Sequence, residues 1–276
     1  MTRYLLDAAL PVLLRPDGRV QIGWHPQRAV QIRPPAGLTA PGLRDLLLTL
    51  QTGATLDELT DAAARSGADE PLHDLLAALL RAGLVRRTGR RPGRAASIRI
   101  HGRGPLSDLL AGSLRCTGNR VQHSTRSHAA APAGTDLVVL ADDLIAEPRV
   151  VRELHAAQIP HLPVRVRDHT GLIGPLVIPG VTSCLGCGDL HRTDRDAAWP
   201  VVAAQLRGTV GAADRATVLA TAALALEQVN RVVRAVLGDD PAHSTPPPTL
   251  DTTLEFDVRV HSIVMRRWSR HPACSC

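Results

Sequence analysis

The chain has 276 residues, 44% of them hydrophobic and 21% charged, an ordinary globular composition with room for one large or two modest domains. Its net charge is +6 and it contains no lysine, which excludes a P-loop lysine, a Schiff-base lysine and a lysine clamp on ATP phosphates. Aromatic residues make up 2% of the chain, too few for a platform that stacks single-stranded bases, although the basic balance is compatible with nucleic acid or an acidic peptide.

The N-terminal stretch, MTRYLLDAALPVLLRPDGRV, is apolar in patches but carries Asp7 and Pro11 inside any signal core. No apolar run approaches the ~20 residues of a membrane span. A cytoplasmic protein with no membrane partner is expected. The turn signal Pro16-Asp17-Gly18 separates ALPVLLR from RVQIGW, and His25-Pro26 separates RVQIGW from RAVQIR. Three short antiparallel strands are predicted there. Three helices follow. The first has Pro41 near its start and Gly53 past its end. The second opens at Thr55 with Glu58 three residues on, a capping box. The third, Pro71 to Arg81, places Leu72, Leu75, Leu76, Leu79 and Leu80 at helical spacing and closes at Gly83 into an extended tail. Strands, three helices and a wing-like tail predict a winged-helix-like domain over residues 1–92. The leucine stripe reads first as core. Residues 86–97, RRTGRRPGRAAS, read as a solvated hinge, with a phosphate or acidic-peptide contact as the alternative.

A different pattern starts at Ser97. SIRIHGRGPLSDLLAGSLR is strand, glycine turn and helix; GNRVQHS and TDLVVLADD read as strands, EPRVVRELHAAQ as a helix and HLPVRVRD as a strand. This alternation predicts a parallel α/β sheet within a second domain of residues 97–276. Two more helices, a proline-rich loop and late strands in LEFDVRVHSIVMRRW complete it.

Five cysteines are an odd number, so metal binding or catalysis is favoured over a disulfide framework. Cys184 and Cys187 form C-x-x-C; Cys274 and Cys276 form C-x-C. C-x-x-C chelates naturally because a tight turn, here with Gly186 and Gly188, aims both sulfurs at one point. A structural zinc on all four cysteines is expected, with no open position for catalysis. Four unligated thiols or a redox pair is the competing reading. His191 and His271 are candidate substitute ligands, and Cys116 is expected to be a small buried residue.

The turn IRIHGRGPLSDLL places Gly102 and Gly104 between strand and helix, but Ser107 stands where G-x-G-x-x-G has its third glycine. No acidic residue for a ribose follows in RCTGNRVQHSTRSH. Gly102, Gly104 and Asp142 are therefore only weak nucleotide candidates. Asp142 and Asp143 fit a magnesium site or, better, a cap on the following helix.

These features together, the degenerate glycine turn, GLIGPLVIPGVTSCLGC, DAAWP and the terminal HPACSC, resemble the ThiF-like, leader-peptide-binding components of azoline cyclodehydratase systems, the TOMM systems of ribosomal-peptide natural product clusters. The resemblance covers most of the chain. It implies an N-terminal winged-helix-like peptide-recognition domain followed by a ThiF-like, Rossmann-type α/β domain with a structural zinc. In that family a leader peptide adds as a strand to the third strand's edge and lies against the third helix. The implied contacts here are Arg28, Ala29, Val30, Gln31, Ile32, Leu72, Leu76 and Leu79. The implied partners are a precursor leader peptide, a separate YcaO-type cyclodehydratase that binds ATP and forms the azolines, and a second copy of the chain. A non-catalytic scaffold is the favoured reading. An ATP-dependent ThiF-type adenylyltransferase and a winged-helix DNA-binding regulator are the alternatives. Nucleic acid is disfavoured as a partner, because the third helix offers few base-reading side chains.

Overall fold

The computed structural model describes residues 2–65, 72–89, 95–125, 133–237 and 246–276. They form two compact units, the first holding the described residues up to 89 and the second those from 95 onward. Among them no helix is long and apolar enough to cross a membrane.

The first unit contains two three-stranded sheets. In one, β1 (Thr2–Leu6) lies between β5 (Ala54–Thr55) and β6 (Val85–Gly89), antiparallel to both. In the other, β2 (Val12–Leu14), β3 (Val20–Ile22) and β4 (Val30–Ile32) form an antiparallel meander. Three helices follow the meander: α1 (Ala40–Thr52), α2 (Leu56–Arg65) and α3 (Leu72–Arg81). Their ends are set by local chemistry. The Thr39 hydroxyl accepts from the Gly42 N–H at the start of α1, and Gly53, at φ 79°, ends it. The capping box closes both ways: the Thr55 N–H donates to Glu58 Oε2 at 2.8 Å, and the Glu58 N–H to Thr55 Oγ1 at 3.2 Å. That main-chain bond from Thr55 is the largest cause holding the Glu58 carboxyl below its ordinary range. Leu6, Leu43, Leu47, Leu50, Leu59 and Val85 centre the core. The expected hinge from Arg86 instead begins inside β6, where Arg86 pairs with Leu5 and Arg87 with Tyr4; residues 90–94 of it lie outside the described residues.

The second unit is a mixed α/β layer structure on a seven-stranded sheet. In chain order its elements are β7 (Ser97–His101), α4 (Pro105–Arg115), β8 (Arg120–Ser124), β9 (Leu137–Ala141), α5 (Pro148–Ala156), β10 (His161–Arg167), β11 (Thr170–Ile173), α6 (Leu185–Arg195), α7 (Trp199–Gln205), α8 (Arg215–Leu237), β12 (Thr252–Asp257) and β13 (Ser262–Arg267). The sheet order is β13-β12-β11-β10-β9-β7-β8. The strands β8, β7, β9 and β10 are parallel, and β11, β12 and β13 extend the sheet antiparallel. The four strands read from the sequence as a parallel α/β sheet are parallel, and the β10–β11 and β12–β13 hairpins extend that sheet with antiparallel strands.

The two faces of the sheet differ. Side chains alternate along a strand. Ile98 and Ile100 of β7, Leu137 and Val139 of β9, and Leu162, Val164 and Val166 of β10 meet α4 and α8 in one apolar core. On the opposite face Val138 and Leu140 pack against Val150 and Leu154 of α5, with Leu185 at the edge. Arg165 and Arg167 of β10 belong to this second face, which is therefore apolar only in part.

Candidate functional site

The four cysteines converge. Cys184 caps α6, its sulfur accepting from the Cys187 N–H at 3.3 Å, which turns both sulfurs of the C-x-x-C pair to one side. The Sγ atoms of Cys184 and Cys187 are 3.8 Å apart, Cys184 and Cys274 3.5 Å, and Cys187 and Cys276 3.5 Å. All four lie within 4.8 Å of one another, and all five cysteines of the chain are free thiols. Tetrahedral zinc with Zn–S bonds of about 2.3 Å sets its sulfurs about 3.8 Å apart, so the donor set and its spacing fit the ion. Cys184 and Cys187 are buried, Cys274 is half-buried and Cys276 exposed. Burial pushes the Cys184 thiol far above its ordinary range. At Cys187 burial also acts upward, but main-chain hydrogen bonding at His271 and Cys184 outweighs it, bringing the thiol to about 7.

The terminal segment is held by more than sulfur. The Trp268 N–H donates to the Asp251 carbonyl at 2.8 Å and its indole to Thr253 Oγ1 at 2.9 Å. His271 accepts from the Ala273 N–H at Nδ1 (3.1 Å) and meets Asp194 Oδ2 through Nε2 (2.8 Å). His191 Nε2 is 3.0 Å from the Ser269 carbonyl. Both histidines thus spend ring nitrogens on anchoring the tail, and neither replaces a cysteine in the cluster.

At the glycine turn, Asp142 sits against the N-terminus of α4. It follows β9 at φ 74° and is 1% exposed. Its Oδ1 accepts from the Leu106 N–H at 2.9 Å and its Oδ2 from the Ser107 N–H at 3.2 Å, so a carboxylate satisfies the first turn of α4. The glycines make room for it. A Cβ on Gly102 would lie 2.8 Å from Asp142 Oδ2, and one on Gly104 2.8 Å from Asp142 Cγ. Ser107, the residue in place of a third glycine, closes the turn by bonding both the N–H (3.1 Å) and the carbonyl (2.8 Å) of Gly104. Asp142 therefore caps the preceding α4; the following α5 is capped by Glu147.

The residues implied for peptide recognition separate into two groups. Val30, Gln31 and Ile32 form β4, which among the described residues ends its sheet and pairs only with β3. Arg28 and Ala29 precede the strand, and their N–H groups turn back onto the His25 carbonyl at 3.1 and 2.8 Å. Leu72, Leu76 and Leu79 of α3 are 4%, 6% and 3% exposed and belong to the core, so the surface of α3 is made by His73, Asp74, Ala77, Ala78 and Arg81. Cys116, expected buried, is exposed at the end of α4.

No protein-family model and no curated protein matches the chain. Solved structures do. A heterocyclase in complex with substrate and cofactor is 16% identical with a TM-score of 0.68, the match covering 100% of this chain and 39% of the heterocyclase. The heterocyclase TruD is 17% identical with a TM-score of 0.67, over 100% of this chain and 42% of TruD. MccB from E. coli, in a crystal structure with AMPCPP and MccA, is 13% identical with a TM-score of 0.59, over 99% of both chains. At such identities the likeness shows a shared fold. The chain spans about two-fifths of the length of the two heterocyclases.

Proposed function

We propose that this chain binds the leader segment of a ribosomally made precursor peptide and presents it to a separate YcaO-type cyclodehydratase, which forms the azolines. The observation that carries the reading is the likeness to two heterocyclases over the whole of this chain. The matched region is read as the recognition part of such an enzyme, working with a YcaO-type catalytic partner.

The first unit is read as a winged-helix-like recognition domain. The outer edge of β4 offers main-chain donors and acceptors to an added strand, and the exposed side of α3 offers a wall for its side chains. Leu72, Leu76 and Leu79 act behind that wall as its packing. Tethering the leader raises the core peptide's local concentration at the partner's site, which needs no acid, base or nucleophile here. Cys184, Cys187, Cys274 and Cys276 hold a zinc ion, which neutralises the crowded thiolates and fixes the tail to the start of α6. MccB, whose crystal structure holds AMPCPP, supports a second reading as an ATP-dependent adenylyltransferase. Against it, the Asp142 carboxylate fills the anion position of the glycine turn.

The test is fluorescence anisotropy with the leader of the precursor peptide encoded beside this chain. Micromolar or tighter binding is expected, with ATP binding absent at equilibrium. Successive residues of a strand point their N–H groups to opposite sides. Of Val30→Pro and Gln31→Pro, one therefore blocks the free edge while the meander stays folded. No leader binding by the folded whole chain sinks the proposal; ATP binding with no leader binding favours the adenylyltransferase.

A further inference from the structure

On the second face of the sheet, between α5, α6 and the end of α7, lies a cleft that the leader-binding reading does not use. One hollow of about 260 Å³ is lined by Arg152, Arg165, Arg192 and Arg207, with Asp189 as its one carboxylate. A second, of about 460 Å³, adjoins it and shares Leu144, Ile145, Arg165 and Arg192. The second hollow adds Arg167 and Arg195 with Asp168 and Asp196, so six arginines face three carboxylates, and Asp189 is already engaged: its Oδ1 accepts from Arg192 Nη1 at 2.9 Å and from the Trp199 indole at 3.2 Å.

The two central arginines are built in. Arg192 lies over the rings of both Trp199 (5.1 Å) and Trp268 (4.8 Å), which fixes its guanidinium plane at the cleft wall. Arg165 projects half-buried from β10, and among the described residues its guanidinium has no hydrogen-bond or ion-pair partner. Burial, then the like charges of Arg192 and Arg167, pull its acidity to about 10. A desolvated cation beside other cations costs stability unless an anion joins it. Guanidinium forks match the oxygens of phosphate and carboxylate, and an excess of several positive charges favours the more highly charged phosphate.

We propose that this cleft is a binding site for a phosphate-bearing ligand, with Arg165 and Arg192 as its principal contacts. The aliphatic walls, Leu144 and Ile145, take whatever apolar body the phosphate carries. The site is separate from the glycine turn, whose anion position Asp142 fills.

The whole chain is titrated with inorganic phosphate, pyrophosphate and citrate by calorimetry, and the fluorescence of Trp199 and Trp268 is followed. Pyrophosphate is expected to bind more tightly than phosphate, to change the fluorescence and to raise the Tm. Arg165→Met, which keeps the apolar stem, is expected to weaken pyrophosphate at least tenfold and to raise the ligand-free Tm, because it removes an uncompensated charge. Arg259→Gln, at an exposed ion pair with Asp257, leaves binding unchanged. Three outcomes overturn the inference: no binding at millimolar pyrophosphate, unchanged binding by Arg165→Met, or citrate binding as tightly as pyrophosphate. A fall in the ligand-free Tm of Arg165→Met also does so, since it makes Arg165 a structural residue.

Discussion

Replacing Asp142 by alanine removes both acceptors from the first turn of α4. Leu106 and Ser107, whose N–H groups they serve, are 1% and 0% exposed, so water reaches neither easily. An orphaned buried donor costs about 1–3 kcal/mol and a lost helix cap about 1 kcal/mol. Two donors at the low end of that range give an expected loss of about 2–4 kcal/mol. Asp142→Gly loses the same bonds but relieves the left-handed backbone at φ 74°, and should be about 1 kcal/mol more stable than the alanine variant. Asp142→Asn keeps one carbonyl acceptor and should fall between the wild type and glycine. The assay is urea unfolding read by Trp199 and Trp268 fluorescence in a Trp24→Phe background, Trp24 being 78% exposed and in the first unit. A loss below about 0.5 kcal/mol for alanine, or alanine more stable than glycine, would refute the capping argument.

The metal centre predicts about one zinc per chain, lost when Cys184 and Cys187 become serine. In the loaded protein only Cys116 should react quickly with a thiol reagent, and all five cysteines should react after chelation; five fast thiols in the untreated, folded protein would defeat the zinc assignment. His161 predicts a pH dependence. It is fully buried, its Nδ1 faces the Ile159 carbonyl at 3.1 Å, and among the described residues its Nε2 has no partner. Burial is the main cause that lowers its acidity from 6.5 to about 4. The unfolded chain therefore takes up a proton between pH 6.5 and 4 that the folded chain refuses, and stability falls as pH falls through that window. The difference amounts to about 3 kcal/mol. His161→Asn should flatten the pH slope of the unfolding free energy by about one proton there, and an unchanged slope would show that His161 is not responsible.

Much of this arrangement is legible in the sequence, and the exceptions have physical causes. The Cys184–Cys187 turn, the Thr55–Glu58 box and the leucine stripe of α3 are local patterns with local consequences, whereas the meeting of the two cysteine pairs spans 89 and 90 residues. The role of Asp142 is not local, because its partners lie 36 and 35 residues upstream in α4. Helix α6 has no sequence signal in its first turn, where two glycines flank Cys187, and a cysteine sulfur caps it instead. Strand β1 is only partly buried and lacks a clean alternation, so it reads as an apolar patch. Cys116 carries no pattern around it, and the outward side of the end of α4 decides its exposure. In β10 the alternation of Val164, Arg165, Val166 and Arg167 is visible in the letters, but only the fold shows that the arginines face a cleft.

That alternation leaves β10 with no tolerance for a change in length. Inserting one residue before Val164 would swing the guanidinium groups into the packed layer beneath α8 and turn the valines toward the arginine-lined hollow. Substitutions along this strand can therefore be graded one by one, whereas any single-residue indel should abolish folding of the second unit.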